Sequence, residues 1–168
     1  MASKKQSKGL QFSRRFTSDD VNVFDQFEYD YRTSVIRNPS GEVVFEMNNV
    51  EVPRQWSQIA TDILAQKYFR KAGLPQKDGS LGRETSIKQV AHRLANCWRV
   101  WGEKYGYFAT DKDAQVFYDE LVYCIINQAC TPNSPQWFNT GLYESYGITG
   151  KPQGHYYVDP VDGQLKNS

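Results

Sequence analysis

The sequence has no apolar run near the roughly 20 residues that a bilayer-spanning helix requires. It also lacks an excess of either charge. Twenty basic residues stand against 19 acidic ones, a net +1, so bulk electrostatics give no reason to expect direct nucleic-acid binding. Cysteine is sparse. Cys97, Cys124 and Cys130 are an odd number without a CxxC spacing, which points to neither a disulfide framework nor a zinc site. The opening "MASKKQSKGLQFSRR" is basic but has no apolar segment of the kind a secretory signal needs. Together these absences indicate a reduced, cytoplasmic protein with no membrane partner. Hydrophobic residues are modest at 39% while aromatics are high at 14%, so a small core must be built largely from rings.

Along the chain, residues 1–18 read as a disordered basic tail, with Lys4, Lys5, Lys8, Arg14 and Arg15 and no acid before Asp19. An acidic stretch follows (Asp19, Asp20, Asp25, Glu28, Asp30), and solvation is expected for both blocks. Residues 19–53 contain a β-hairpin: Val35 and Ile36, then Asn38-Pro39-Ser40-Gly41, then Val43, Val44 and Phe45, closed by Pro53. Residues 54–130 form a three-helix domain. Trp56, Ile59, Ala60, Ile63, Leu64 and Tyr68 make one apolar stripe over about 54–72, stopped by Gly73 and Pro75. "LPQKDGSLGRE" is a loop. Ser86 with Gln89 opens a second helix as a capping box, and its stripe runs Ile87, Val90, Ala91, Leu94, Trp98, Trp101 until Gly106. Thr110 with Asp113 caps a third helix carrying Ala114, Phe117, Tyr118, Leu121 and Ile125, ending near Cys130. His92, between Ala91 and Leu94, has no suitably spaced second ligand and reads as a hydrogen-bonded structural histidine.

"CTPNSPQWFNTGL", residues 130–142, departs from this regularity. Ser134 suits an N-cap, Pro135 a first helical position and Gly141 a C-terminal stop, so "SPQWFNTG" is expected to form one short helix. Two roles fit this corner. Ser134 caps and Asn133 turns, or the N-terminal N–H groups with the Ser134 hydroxyl and the Asn133 amide hold a phosphate or a sugar hydroxyl. Residues 131–168 then pass through a strand, Tyr156 to Val158, and a turn at Asp162-Gly163, to a second strand starting at Leu165. That abrupt finish is expected of a piece of a longer protein.

The chain resembles the N-terminal part of the large adenosylcobalamin-dependent (class II) ribonucleotide reductases. The resemblance rests on collinear segments: "FSRRFT" at 12–17, "GEVVFE" at 41–46, "VEVPRQWSQIATDILAQKYFRKAG" at 50–73, "GYFAT" at 106–110, "FYDEL" at 117–121, "NSPQWFNTGL" at 133–142 and the closing "HYYVDPVDGQLK". It implies a mainly α N-terminal domain with a small β-hairpin, leading into a ten-stranded α/β barrel. It also implies reduction of ribonucleotides at the 2′ carbon by a thiyl radical generated from adenosylcobalamin, with a thioredoxin-like or dithiol reductant for the whole enzyme. The radical and redox cysteines of the family lie beyond this segment, so no redox role passes to Cys97, Cys124 or Cys130, which read as packing. The hydroxyl residue of the N-S-P segment is a substrate contact in the wider superfamily. That role maps onto Ser134, with Asn133 and Thr131 beside it and Pro135 shaping the loop. On this reading the chain supplies one wall of the substrate site and needs the remaining C-terminal portion of the reductase to act. A non-enzymatic helical interaction module and a nucleic-acid adaptor are the alternatives, and neither accounts for the collinear motifs.

Overall fold

A computed structural model describes residues 9–150 and 156–167. A long hairpin forms first. Strand β1 (Tyr29–Arg37) pairs antiparallel with β2 (Val43–Pro53), from Tyr29 opposite Pro53 to Arg37 opposite Val43. The turn works as its residues require: Asn38 Oδ1 accepts from the Ser40 and Glu42 N–H groups, and Gly41 takes φ +86°, a region that costs an L side chain energy. Only β2 feeds the core deeply, through Met47, Val50 and Val52.

After Pro53 the helix expected over 54–72 is shorter and changes its winding. Helix α1 (Gln58–Ile63) begins at Ser57, whose hydroxyl accepts from Ala60 N–H. It then widens into a π-helical turn, Leu64–Tyr68, closed by Phe69 N–H to the Leu64 carbonyl at 3.0 Å. Four residues of the expected stripe pack in or against the core, Trp56, Ala60, Leu64 and Tyr68, joined by Thr61 and Ala65, whereas Ile59 and Ile63 of the stripe are exposed. Two short strands, β3 (Leu74–Pro75) and β4 (Leu81–Gly82), pair within the stretch read as loop.

Helix α2 (Ile87–Lys104) starts at the capping box Ser86–Gln89 and buries Ile87, Val90, Ala91, Leu94 and Ala95 completely. Helix α3 (Asp111–Ile126) starts at Thr110, whose hydroxyl accepts from Asp113 N–H, and lies against α2. It ends four residues before Cys130, because Gln128 takes φ +57° and the N–H groups of Ala129 and Cys130 turn back to the Cys124 carbonyl. Two short helices follow, α4 (Ser134–Asn139) and α5 (Leu142–Tyr146), and then the hairpin of β5 (Tyr156–Val158) and β6 (Leu165–Asn167). One core joins β2, α1, α2, α3 and Trp137 of α4.

Two expectations need correcting. The fold is mixed rather than mainly α: of the described residues, 39% are helical and 21% are in strands, the latter arranged as three two-stranded antiparallel sheets. The second correction concerns residues 9–18, which are docked rather than solvated. Leu10 exchanges backbone hydrogen bonds with Tyr107 and Ala109, and Phe12 N–H donates to Asp113 at 2.8 Å. Arg14 pairs with Asp119 at 2.8 Å and with Asp19 at 2.7 Å, and the N–H groups of Arg15, Phe16 and Thr17 converge on Glu120. The basic and acidic blocks thus partly fold against each other. Residues 1–8 of the expected tail, and His155 of the closing motif, lie outside the described residues.

Candidate functional site

The corner at 130–142 is built from three supports. The first is local. Asn133, not Ser134, is the N-cap of α4: its side-chain oxygen accepts from Gln136 N–H at 3.4 Å, and Ser134 is the first helical residue with Pro135 second. The reason is the proline. Pro135 has no N–H, and in the first turn that donor would have no partner within the helix anyway, so the proline is tolerated at the second position. This weakens the helix-N-terminus reading, because Pro135 offers no donor and Gln136 and Trp137 N–H groups already reach Asn133. Six residues also sum to a small dipole.

The second support is aromatic. Trp137 is 6% exposed and its indole N–H donates to the Pro132 carbonyl at 2.7 Å, pinning the loop to its own helix. Tyr68, from the end of the π-turn, stacks on Trp137 with ring centroids 5.2 Å apart, and its hydroxyl lies 3.2 Å from Ser134 Oγ. Phe138 is 42% exposed and only flanks Tyr68, at 5.4 Å.

The third support is a buried ion pair absent from the sequence reading. Arg93 on α2 and Glu84 are both fully buried, with Arg93 Nε 2.8 Å from Glu84 Oε1. The same guanidinium donates to the Thr140 carbonyl at 2.8 Å, the Trp137 carbonyl at 2.5 Å and the Tyr68 carbonyl at 3.3 Å. It therefore satisfies acceptors at the C-terminal end of α4, which the helix itself leaves open. Glu84 also accepts from Arg70 N–H and the Tyr146 hydroxyl, and burial first, then Glu84, pushes the Tyr146 phenol up. Gly141, at φ +78°, closes the join: a Cβ there would lie 1.9 Å from the Arg93 carbonyl oxygen, so no other residue fits. An arginine inside an apolar stripe is the one sequence signal that would have revealed this arrangement.

Beside the corner lies a cavity of about 240 Å³ lined by Trp56, Ala60, Leu64, Tyr68, Thr131 and Trp137 among others. The four singled-out residues thus divide. Thr131 borders the cavity, Ser134 meets Tyr68 at the surface, Asn133 is spent on the cap, and Pro135 sets the helix start.

The remaining candidates are structural. His92 Nδ1 lies 2.7 Å from the Tyr118 hydroxyl, as a hydrogen-bonded histidine should, and burial, then Arg99, lowers its pKa. Burial, then Glu144, pushes the Cys97 thiol up to about 12. Cys124 and Cys130 are also raised, each by burial first. All three are thus held as thiols at neutral pH, the unreactive form. Cys130 is exposed as a residue, not packed as expected. Among the described residues no cluster of three or more His, Cys, Asp or Glu side chains is placed to hold a metal ion, and no helix is long and apolar enough to cross a membrane.

A docked hairpin, a mixed core and a polar corner on aromatic supports describe a segment whose relatives can be identified. Residues 30–128 match the family described as class II vitamin B12-dependent ribonucleotide reductase, and the chain belongs to that family. Proteins named vitamin B12-dependent ribonucleotide reductase are similar to it: 47% identical over 95% of this chain in Bradyrhizobium diazoefficiens, 43% over 95% in Agrobacterium fabrum, and 41% over 82% in Streptomyces clavuligerus. The chain spans only 15% of the length of the first two. Cobalamin itself does not fit the cavity beside the corner. At about 240 Å³ that space falls below the roughly 300–1,000 Å³ typical of drug-sized ligands, and a corrin is larger still.

Proposed function

We propose that this chain is the N-terminal segment of a reductase that makes deoxyribonucleotides from ribonucleoside diphosphates or triphosphates, and that it forms one wall of the substrate site. The complete enzyme would use adenosylcobalamin, held by other parts of the protein, to initiate thiyl-radical reduction at the ribose 2′ carbon, with a thioredoxin-like or dithiol reductant closing the cycle. The observation that carries the wall assignment is the Ser134 hydroxyl, which lies at the surface yet is supported from behind by Tyr68, Trp137 and, through their carbonyls, Arg93. A hydroxyl already oriented by a neighbour loses less freedom on meeting a ligand than a free one, which is the usual advantage of preorganisation.

In this role Ser134 donates to an oxygen of the nucleotide, Thr131 and Asn133 shape the adjoining surface, and Pro135 keeps the hydroxyl at the helix start. With the helix dipole small, the hydroxyl rather than the backbone carries the contact. In the complete reductase, Ser134→Ala should lower kcat/KM by about 1.5–3 kcal/mol, the range of one hydrogen bond to a charged group. Because Asn133 is the cap, the melting temperature should stay put. Unchanged kinetics would remove the wall assignment. The 168-residue chain alone, given adenosylcobalamin, a dithiol and ribonucleotide, should give no deoxyribonucleotide, since the wall without the rest of the site neither encloses substrate nor excludes water.

A further inference from the structure

We infer that Tyr68 is a positioning residue for the Ser134 hydroxyl, an inference that rests on the substrate-wall reading. Three independent features place it there. Its phenol oxygen lies 3.2 Å from Ser134 Oγ. Its ring stacks on the buried Trp137 with centroids 5.2 Å apart and is flanked by Phe138 at 5.4 Å, which restrains the swing of its oxygen. Its carbonyl accepts from Arg93, the residue that also holds the Trp137 and Thr140 carbonyls of α4, so one guanidinium ties the two hydroxyl-bearing segments together.

The backbone is adapted to the same end. Tyr68 closes the π-helical turn that follows α1, and Phe69 N–H reaches back five residues to the Leu64 carbonyl. Such wide turns cost regular hydrogen bonding and occur often where a side chain must be re-aimed. Here the turn keeps Leu64 in the core while bringing Tyr68 to Ser134.

The direction of the bond matters for chemistry. A hydroxyl has one proton and two acceptor positions, and a phenol is the better donor of the pair. With Tyr68 donating to Ser134 Oγ, the serine proton is left free to point outward at an anionic or hydroxyl oxygen of the nucleotide. Donation into Ser134 also polarises its own O–H and strengthens the outward bond. Without Tyr68 the serine proton is free to turn inward or rotate, and the contact loses its preset direction.

The test is a double-mutant cycle in the complete reductase that carries this segment. Tyr68→Phe keeps the ring, the stack and the backbone, and removes one oxygen. The expected result is a rise in KM for ribonucleotide of about five- to tenfold with kcat within about twofold and an unchanged melting temperature. In the Tyr68→Phe/Ser134→Ala protein, KM should match that of Ser134→Ala alone, since the tyrosine acts only through the serine. If Ser134→Ala raises KM but Tyr68→Phe does not, or if the two effects simply add, the positioning role is wrong and the substrate wall stands. If neither variant moves KM, the wall reading itself fails and takes the positioning role with it.

Discussion

Ser134, Asn133 and Trp137 sit within five residues of one another and do three different jobs. Asn133 supplies the cap oxygen, Ser134 presents a hydroxyl, and Trp137 anchors both through its burial and its bond to Pro132. Their substitutions should therefore separate cleanly. Trp137→Ala should destabilise the fold by about 3–5 kcal/mol in urea or thermal unfolding, as deletion of a buried large aromatic does. Asn133→Ala should cost only about 0.5–1 kcal/mol, the lower part of the capping range, because its bond is long. Phe138, largely exposed, should tolerate Ala with far less loss than Trp137.

Among the elements, the segment from Gly9 to Ser18 is held to α3 mostly by carboxylates, and its attachment should depend on pH. Burial pushes the Glu120 carboxyl up, but the Thr17 hydroxyl and the N–H groups of Arg15, Phe16 and Thr17 outweigh it and hold the group below its ordinary value. Asp113 is likewise lowered, by Thr110 first and then by Phe12 N–H. A carboxyl whose folded pKa is depressed contributes stability that is complete above its unfolded value, near 4 for these groups, and is lost as pH falls through the folded value. Amide protection at Arg15, Phe16 and Thr17 should thus hold from about pH 7 to 5 and fall as the pH drops below about 4. Glu120→Gln should loosen the same amides at neutral pH. Protection unaffected by either change would mean that the aromatic contacts of Phe12 and Phe16 hold the segment unaided.

Across the whole molecule, the Arg93–Glu84 pair is where distant parts of the chain converge: α2, the π-turn, α4, α5 and the loop before α2 all place a polar group on it. Removing one partner leaves the other charged and buried. Arg93→Met should destabilise by about 3–5 kcal/mol, and Glu84→Gln/Arg93→Met should recover part of that loss, measured by equilibrium unfolding. If the single and double variants are equally stable, the pair's charges do not govern this junction.

Much of the fold was legible in local sequence. The Asn38–Gly41 turn, the Ser86–Gln89 capping box, the Thr110 cap and the stripe of α2 each encode their structure within a few residues, because turn and cap hydrogen bonds are made by neighbours in the chain. The hairpin at β5–β6 was equally readable from Tyr156–Val158, Asp162-Gly163 and Leu165. What sequence could not decide was anything set by partners far along the chain. The widening of α1 after Ile63, the exposure of Ile59, the docking of Arg14 on Asp119 and the closure of Arg93 on Glu84 each depend on contacts between residues made neighbours only by folding. The sequence by itself determined the family, the first hairpin, the succession of α1, α2 and α3 and the oddity of the N-S-P corner. Only the tertiary structure moved the cap from Ser134 to Asn133 and set Tyr68 beside the serine, because a hydroxyl's role is settled by which groups the fold leaves within reach of it.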